Sequence, residues 1–380
     1  DDFSSALSLL GQNVSSAQIT ATGDQWYEWL SGVLNEPMIF GPSFAGVEWT
    51  EAIQNKGDFT NWGIYGDVQY HVNERLDLIA GLRYSEDEKE FSWLFPPTSF
   101  AALRPGVSNQ IFKLDAQYAS AYTTPLEASD NWSQTTGRAV AQYQLTEDLM
   151  TYLSYSTGYK SGGFDSLTIS TADAPIDPEE SQMVELGLKG DLIDGRVRMQ
   201  LAIFRLEVDG RQTTVESRQP GEANSFPTVL NIDNEIDGVE LTLDWLVSDT
   251  LRLGGLTSWR DESATSGQYY NSNAELVSQD ASGTTNTSYT LKLDWTPEIP
   301  LGELLVHVDY VYEENGVDTG SPDFLDEFHA IPNYLDDTEN LNARVAWSSD
   351  DRHYELALWG RNLLDQELID GVHTISRPAF

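Results

Sequence analysis

The stretch PEESQMVELGLKGDLIDGRVRMQLAIFRLEVD, residues 178–209, decides the fold, because apolar and polar residues alternate on both sides of a turn. The apolar positions are Val184, Leu186 and Leu188 before the turn and Val197, Met199, Leu201 and Ile203 after it. Period-two alternation places one face of a strand in apolar surroundings and the other in polar surroundings. With Asp194 and Gly195 at the end of the turn, the stretch predicts two antiparallel strands joined as a hairpin.

The same unit recurs six times between Phe59 and the C-terminus. The predicted short turns lie at 72–75, 145–148, 191–195, 247–250, 296–302 and 348–351. Long polar connections, of which 95–131 is one, join the hairpins at their other ends. Twelve strands with short turns at one end and long loops at the other are typical of outer-membrane barrels. The sequence therefore predicts an all-β fold, an antiparallel transmembrane β-barrel.

Aromatic residues mark both ends of the predicted apolar faces. Those near the short turns are Tyr70, Tyr143, Trp245, Trp295 and Trp347, and those at the opposite ends are Tyr84, Tyr155, Trp259 and Tyr310. Two such belts around an aliphatic band are expected at membrane interfaces, because indole and phenol combine an apolar body with a polar tip. A soluble β-sandwich, the alternative fold, has no reason to collect aromatic residues at strand ends.

Composition excludes several classes of protein. The chain has 21 Lys and Arg against 61 Asp and Glu, a net charge of -40 that repels phosphate backbones, so no nucleic-acid partner is expected. No apolar run is long enough for a transmembrane helix. The chain lacks cysteine, and its five histidines are scattered, so we predict no metal site and no cofactor. Residues 233–244 resemble a calcium loop, but the strand pattern that begins at Val239 contradicts that interpretation.

Two regions are expected along the chain. Residues 1–58 should form a long extracellular loop region before the first strand, with one short amphipathic helix at 24–34. Residues 59–380 should form a partial barrel of six hairpins whose final strand is missing. Twelve strands alone would leave both chain ends on the outer side, so we expect further strands in segments outside this sequence.

Several motifs resemble one family. GYKSGGFD (158–165), DPEESQMVELGLKG (177–190), IDGVELTLDW (236–245) and LWGRNLLDQEL (358–368) are similar to the barrel of TonB-dependent outer-membrane receptors. The resemblance implies a 22-stranded barrel around an N-terminal plug, placed in the bacterial outer membrane among lipid and lipopolysaccharide. It also implies active uptake of a scarce ligand, and the leading candidate is a ferric siderophore or similar iron chelate. The TonB complex would supply the energy through a plug segment that this sequence does not include.

Ligand contacts in such receptors come from the outer loops and the upper surface of the plug. The candidate loop residues here are Lys160, Arg211, Arg218, Tyr269 and Tyr270. No nucleophile elbow, phosphate loop or zinc motif is present, so an enzyme is not predicted. Two alternatives stay open: a passive or structural outer-membrane barrel without energy coupling, and a secreted acidic β-sandwich that binds glycans.

Overall fold

The computed structural model describes residues 53–96, 113–114, 120–121, 123–166, 168–169, 175–218, 220, 226–264, 267–271, 274–278, 284–314 and 337–366. Twelve strands form one antiparallel sheet, and each pairs with its neighbours in chain order. They are β1 (Gln54–His71), β2 (Leu76–Leu94), β4 (Leu126–Gln144), β5 (Leu149–Lys160), β7 (Glu179–Leu192), β8 (Val197–Ser217), β9 (Phe226–Ser248), β10 (Leu251–Ala264), β13 (Thr284–Trp295), β14 (Glu303–Glu313), β15 (Thr338–Ser348) and β16 (Glu355–Gly360). The predicted all-β fold of six hairpins is confirmed.

Four short strands lie in the connections between hairpins, where the sequence predicted only loops. β3 (Lys113–Leu114) pairs in parallel with β6 (Thr168–Ile169), and β11 (Gln268–Tyr270) forms a small hairpin with β12 (Leu276–Ser278). All of them belong to the long connections, opposite the short turns. The end of the sheet with long connections therefore carries additional structure, and we call it the loop end.

One face of the sheet is apolar along its whole width. Leu188 of β7 stands opposite Leu201 of β8, which in turn stands opposite Leu241 of β9. These residues are not covered by a second layer: Leu291 of β13, for example, is 53% exposed. The inner faces of a β-sandwich would bury such side chains between two sheets. A single sheet with an uncovered apolar face does not fit the sandwich alternative and fits a barrel wall in lipid.

The predicted aromatic belts lie on this apolar face. Tyr84 stands opposite Ile64, Tyr155 opposite Val184, and Trp259 opposite Val239. The Tyr84 hydroxyl donates to Glu86 and the Tyr155 hydroxyl donates to Gln182, each toward the loop end and away from the aliphatic band. Their role as a membrane girdle stays a prediction.

Several of the strands are longer than a membrane requires. About ten residues of a tilted strand cross a bilayer, whereas β8 has 21 residues and β9 has 23. β1 begins at Gln54, and β4 begins at Leu126 inside the predicted 95–131 loop. β9 also runs straight through the segment 233–244, so that segment is a strand instead of a calcium-binding loop. The extra length lies at the loop end.

β4 and β5 part above the aromatic belt. Their pairing ends at Arg138 and Ser156, and beyond it the Thr157 Oγ1 accepts a hydrogen bond from the Gly137 backbone N–H at 2.9 Å. β4 continues to pair with β2 as far as Leu126. Two backbone N–H groups on this length of β4 donate to the preceding side chain, from Asn131 to Asp130 and from Thr135 to Gln134.

The helix predicted at 24–34 and nearly all of the predicted 1–58 region lie outside the described residues. Among those described, no helix has the length and apolarity needed to cross a membrane. The division at residue 58 stays a prediction.

Candidate functional site

The polar face of the sheet carries charges that are largely matched in pairs. Arg198 forms two hydrogen bonds with Asp191, and Arg252 binds Asp244 through both carboxylate oxygens. Exposed pairs of this kind contribute at most about 1 kcal/mol each. They keep the polar face charged and hydrated near the short turns, and the candidate site is found at the opposite end.

An aromatic cluster covers the polar face of β2 and β4 at the loop end. Trp93 is 1% exposed, and its ring centroid lies 4.7 Å from that of Phe91 and 5.8 Å from that of Phe164. Trp132 packs against the same Phe164 ring at 6.1 Å. Phe164 belongs to the GYKSGGFD motif, so the cluster holds the beginning of the 161–178 connection against the wall. We call these four residues the aromatic cluster.

Lys89 ties this motif to β2. Its Nζ donates to the Gly162 carbonyl oxygen at 2.6 Å and lies over the rings of Trp132 and Phe59, 5.5 Å and 5.9 Å from their centroids. Burial lowers the pKa of Lys89 below its usual value, against the opposing effect of the Asp87 carboxylate. The ammonium group is held by a carbonyl and two ring faces, an arrangement that orders the backbone of the motif.

The connection is held from a second side by β8 and β9. The Gln212 side-chain amide donates to the carbonyl oxygens of Ser161 and Asp177, at 3.1 Å and 2.9 Å, and Asn231 donates to the same Asp177 oxygen at 3.0 Å. Gly163 and Ile176 form a β-bridge that closes the base of the connection. Residues 161–166 are therefore joined to β2 through Lys89 and Trp93 and to β8 through Gln212.

Position 162 requires a glycine because the surrounding residues leave no space for a side chain. A Cβ at this position would lie 2.2 Å from the Ile176 carbonyl oxygen and 2.4 Å from the Trp132 ring nitrogen. A larger residue would push the motif off the aromatic cluster.

A β-bulge turns Arg211 toward the polar face. Val208 pairs with Asn234 and Arg211 pairs with Ile232, so β8 uses one more residue than β9 over this interval. Gly210, with a φ of +67°, lies inside the bulge. An extra residue reverses the side on which the following side chains lie. Arg211 consequently reaches Glu262 of β10 instead of facing outward with Arg205.

Deletion of Gly210 is expected to separate Arg211 from Glu262. Without the extra residue, position 211 shifts to the apolar face while Glu262 stays in place. Cysteines introduced as Arg211→Cys and Glu262→Cys in this cysteine-free chain should be joined by a short thiol-specific cross-linker in the full-length protein. The same pair should not cross-link after the deletion. Efficient cross-linking in the deletion variant, with the folded barrel retained, would contradict the bulge assignment.

The five predicted ligand residues fall into two groups in the structure. Lys160, at the end of β5, pairs with Glu179 at 3.5 Å, and Arg211 pairs with Glu262 nearby. The Arg218 backbone N–H donates to the Tyr270 carbonyl oxygen at 3.3 Å. Arg218 therefore lies beside β11, which contains Tyr269 and Tyr270. All five lie at the loop end, and their contact with a ligand stays a prediction.

The sequence analysis missed the aromatic cluster and Lys89. The signal was present as the alternation of Lys89, Phe91, Trp93 and Phe95 in KEFSWLF, residues 89–95. It continues the polar-face register of β2 past Tyr84. Gln212 and Asn231 had no comparable signal, because their contacts depend on the bulge and on a distant connection.

Comparison with known proteins places the fold. The family model "TonB dependent receptor-like, beta-barrel" matches residues 2–363. The "Probable TonB-dependent siderophore receptor PiuA" of Acinetobacter baumannii is 27% identical over 259 residues, 63% of this chain and 32% of that protein. The "Metal-pseudopaline receptor CntO" of Pseudomonas aeruginosa is 28% identical over 223 residues, 57% of this chain and 28% of that protein.

A solved structure agrees with this fold. The ferric yersiniabactin uptake receptor FyuA from Yersinia pestis superposes with a TM-score of 0.57 at 18% identity, over 83% of this chain and 42% of that one. The chain spans about a third or less of the curated relatives named here. Because the family model covers nearly the whole sequence, the chain belongs to the TonB-dependent receptor β-barrel family.

Proposed function

We propose that the chain is part of an outer-membrane receptor that takes up an iron chelate of the siderophore class. Its membership of the TonB-dependent receptor family supports energy coupling through TonB, acting on a plug segment outside this sequence. The relative PiuA is described as a probable siderophore receptor, which supports a siderophore as ligand. The relative CntO is described as a metal-pseudopaline receptor, which supports a metal chelate. Lipid and lipopolysaccharide would surround the apolar face. The function is transport, and we assign no catalytic residues.

The observation that carries the proposal is the ordered polar face at the loop end. A barrel that served only as a passive pore would need a hydrated lumen, which the paired charges near the short turns already supply. Here the aromatic cluster and the hydrogen bonds of Lys89 and Gln212 attach residues 161–166 to the sheet. Pre-ordered aromatic and polar groups reduce the entropy that is lost when a ligand binds. In the proposed function, this surface contributes to capture of the chelate before the plug rearranges.

Growth and uptake distinguish the proposal from a passive barrel. A strain that lacks the gene should grow more slowly under iron limitation, and the gene in trans should restore growth and uptake of radioactive iron from a supplied chelate. Uptake should vanish in a strain without TonB. Uptake that continues without TonB would support the passive barrel instead, and the absence of any uptake defect would contradict iron transport.

Lys89→Met is expected to weaken capture of the chelate. The variant keeps most of the side-chain volume but removes the bond to Gly162 and the charge over Trp132. Loss of a charge-assisted hydrogen bond costs roughly 1.5–3 kcal/mol, so affinity should fall about tenfold or more. Equilibrium binding to the purified receptor measures the effect.

Arg83→Met is the matched control for this variant. Arg83 lies on the same face of the same strand as Lys89. Its side chain donates a hydrogen bond to the Ser85 hydroxyl, two residues away. Equal losses of affinity in the two variants would show that any cation removed from this wall has the same effect, and would contradict a specific role for Lys89.

A further inference from the structure

We propose that the chelate carries no net negative charge, so that the receptor selects neutral or cationic ligands and rejects anionic ones. The inference rests on the proposed function and specifies its ligand further. It follows from how the basic side chains at the loop end are engaged and from the charge of the connections around them.

Three basic side chains that could attract an anion are already engaged, two of them by carboxylates. Lys160 pairs with Glu179 at 3.5 Å, and Arg211 pairs with Glu262, which also accepts a hydrogen bond from Asn234 at 3.1 Å. Lys89 is committed to the Gly162 carbonyl and the Trp132 ring. An anionic ligand would have to break these contacts before it gained its own.

Carboxylates remain in excess on the same surface. Asp87, Asp130 and Glu313 occupy the polar face of β2, β4 and β14 beyond the aromatic belt, and none of them forms an ion pair within the described ranges. Arg260 and Lys89 are bases on this surface that form no ion pair among the described residues. A ligand at this wall therefore meets more negative than positive charge.

The sequences of the connections between hairpins add further negative charge. Segment 314–337 contains seven Asp and Glu and no Lys or Arg, and segments 161–178 and 265–283 contain three and two acids without a base. The remaining connections, 95–125 and 218–225, carry three bases and two acids. Negative charges lower the local concentration of an anion and its association rate. The effect reaches about 8 Å in physiological salt.

A charge series on one iron chelate tests the inference. A linear iron(III) trihydroxamate with a free amine carries one positive charge, its N-acetyl derivative is neutral, and its N-succinyl derivative carries one negative charge. With the purified full-length receptor, the cationic and neutral forms should bind about tenfold more tightly than the anionic form. Raising the salt concentration should weaken binding of the cationic form and leave the neutral form nearly unchanged.

Glu262→Gln should shift this preference. The substitution releases Arg211 from its carboxylate, so the affinity ratio of anionic to cationic form should rise by about tenfold. Glu207→Gln removes the same charge from the outward side of β8, where Glu207 stands opposite Glu235 of β9, and should change the ratio by less than about twofold.

The outcomes separate the two proposals. Equal or tighter binding of the anionic form by the native receptor overturns the charge inference while leaving iron-chelate uptake intact. An unchanged ratio in Glu262→Gln, with the folded barrel retained, overturns the part assigned to the Arg211–Glu262 pair. If the receptor binds none of the three forms and the gene supports no iron uptake, the proposed function fails and the charge inference fails with it.

Discussion

Leu291→Arg is expected to destabilise the folded barrel by about 2–4 kcal/mol, whereas Thr290→Arg should have little effect. Leu291 stands opposite Gly255 and Tyr310 on the apolar face, between the two aromatic belts. A guanidinium group there must enter hydrocarbon or distort the bilayer around it. Thr290, one residue earlier, belongs to the polar face and stands opposite Leu256 and Val311. The same charge on that side stays in water.

Both variants can be compared in the full-length receptor refolded into lipid vesicles. Urea titration followed by heat-modifiable electrophoretic mobility reports the folded fraction and hence the free energy of unfolding. Equal destabilisation by the two substitutions would contradict the assignment of the two faces. It would also mean that contact with lipid does not explain the apolar face of the sheet.

Trp93→Ala is expected to release residues 161–166 from the wall, at a cost of roughly 3–5 kcal/mol of local stability. The indole is fully buried against Phe91 and Phe164, and its Nε1 donates to the Asp165 carbonyl oxygen at 2.8 Å. Truncation leaves a cavity and removes this hydrogen bond in the same place. The motif would lose its aromatic contact and one of its hydrogen bonds together.

Hydrogen–deuterium exchange measures this release directly. Backbone N–H groups of 161–166 should exchange much faster in Trp93→Ala, while those of β7 and β8 near the short turns should be unaffected. Trp93→Phe keeps a ring in the cluster and should show an intermediate effect. Unchanged exchange in the alanine variant would mean that the contacts of Lys89, Trp132 and Gln212 hold the motif without Trp93.

Much of this fold could be predicted from the sequence, and the reason is physical. In a transmembrane barrel, lipid on one side and water on the other require a strict alternation, and residues such as Leu201 and Gln200 follow it. Turn positions follow because the alternation stops at each short turn. The fold class, the six hairpins and the shared apolar face depend on this pattern, and the structure confirms them.

The alternation of apolar and polar residues becomes weaker beyond the aromatic belts, and the predictions are less accurate there. Above Tyr84 and Trp259 the alternation loses its contrast, as expected where both faces of a strand meet water, so the predicted strands are too short. The bulge at Gly210 and the parting of β4 from β5 depend on pairing between strands that are distant in sequence. The candidate site lies in this region. Its ion pairs, Lys160 with Glu179 and Arg211 with Glu262, could not be inferred from one strand at a time.

The parting of β4 from β5 has a consequence for receptors that share a crowded membrane. A strand edge without a partner is a template on which a neighbouring chain can add a strand, and such additions lead to aggregation. On this length of β4, Asn131 and Thr135 turn their backbone N–H groups to the side chains of Asp130 and Gln134. These two donors are not offered to a foreign strand, so this length of β4 presents fewer free N–H groups for self-association.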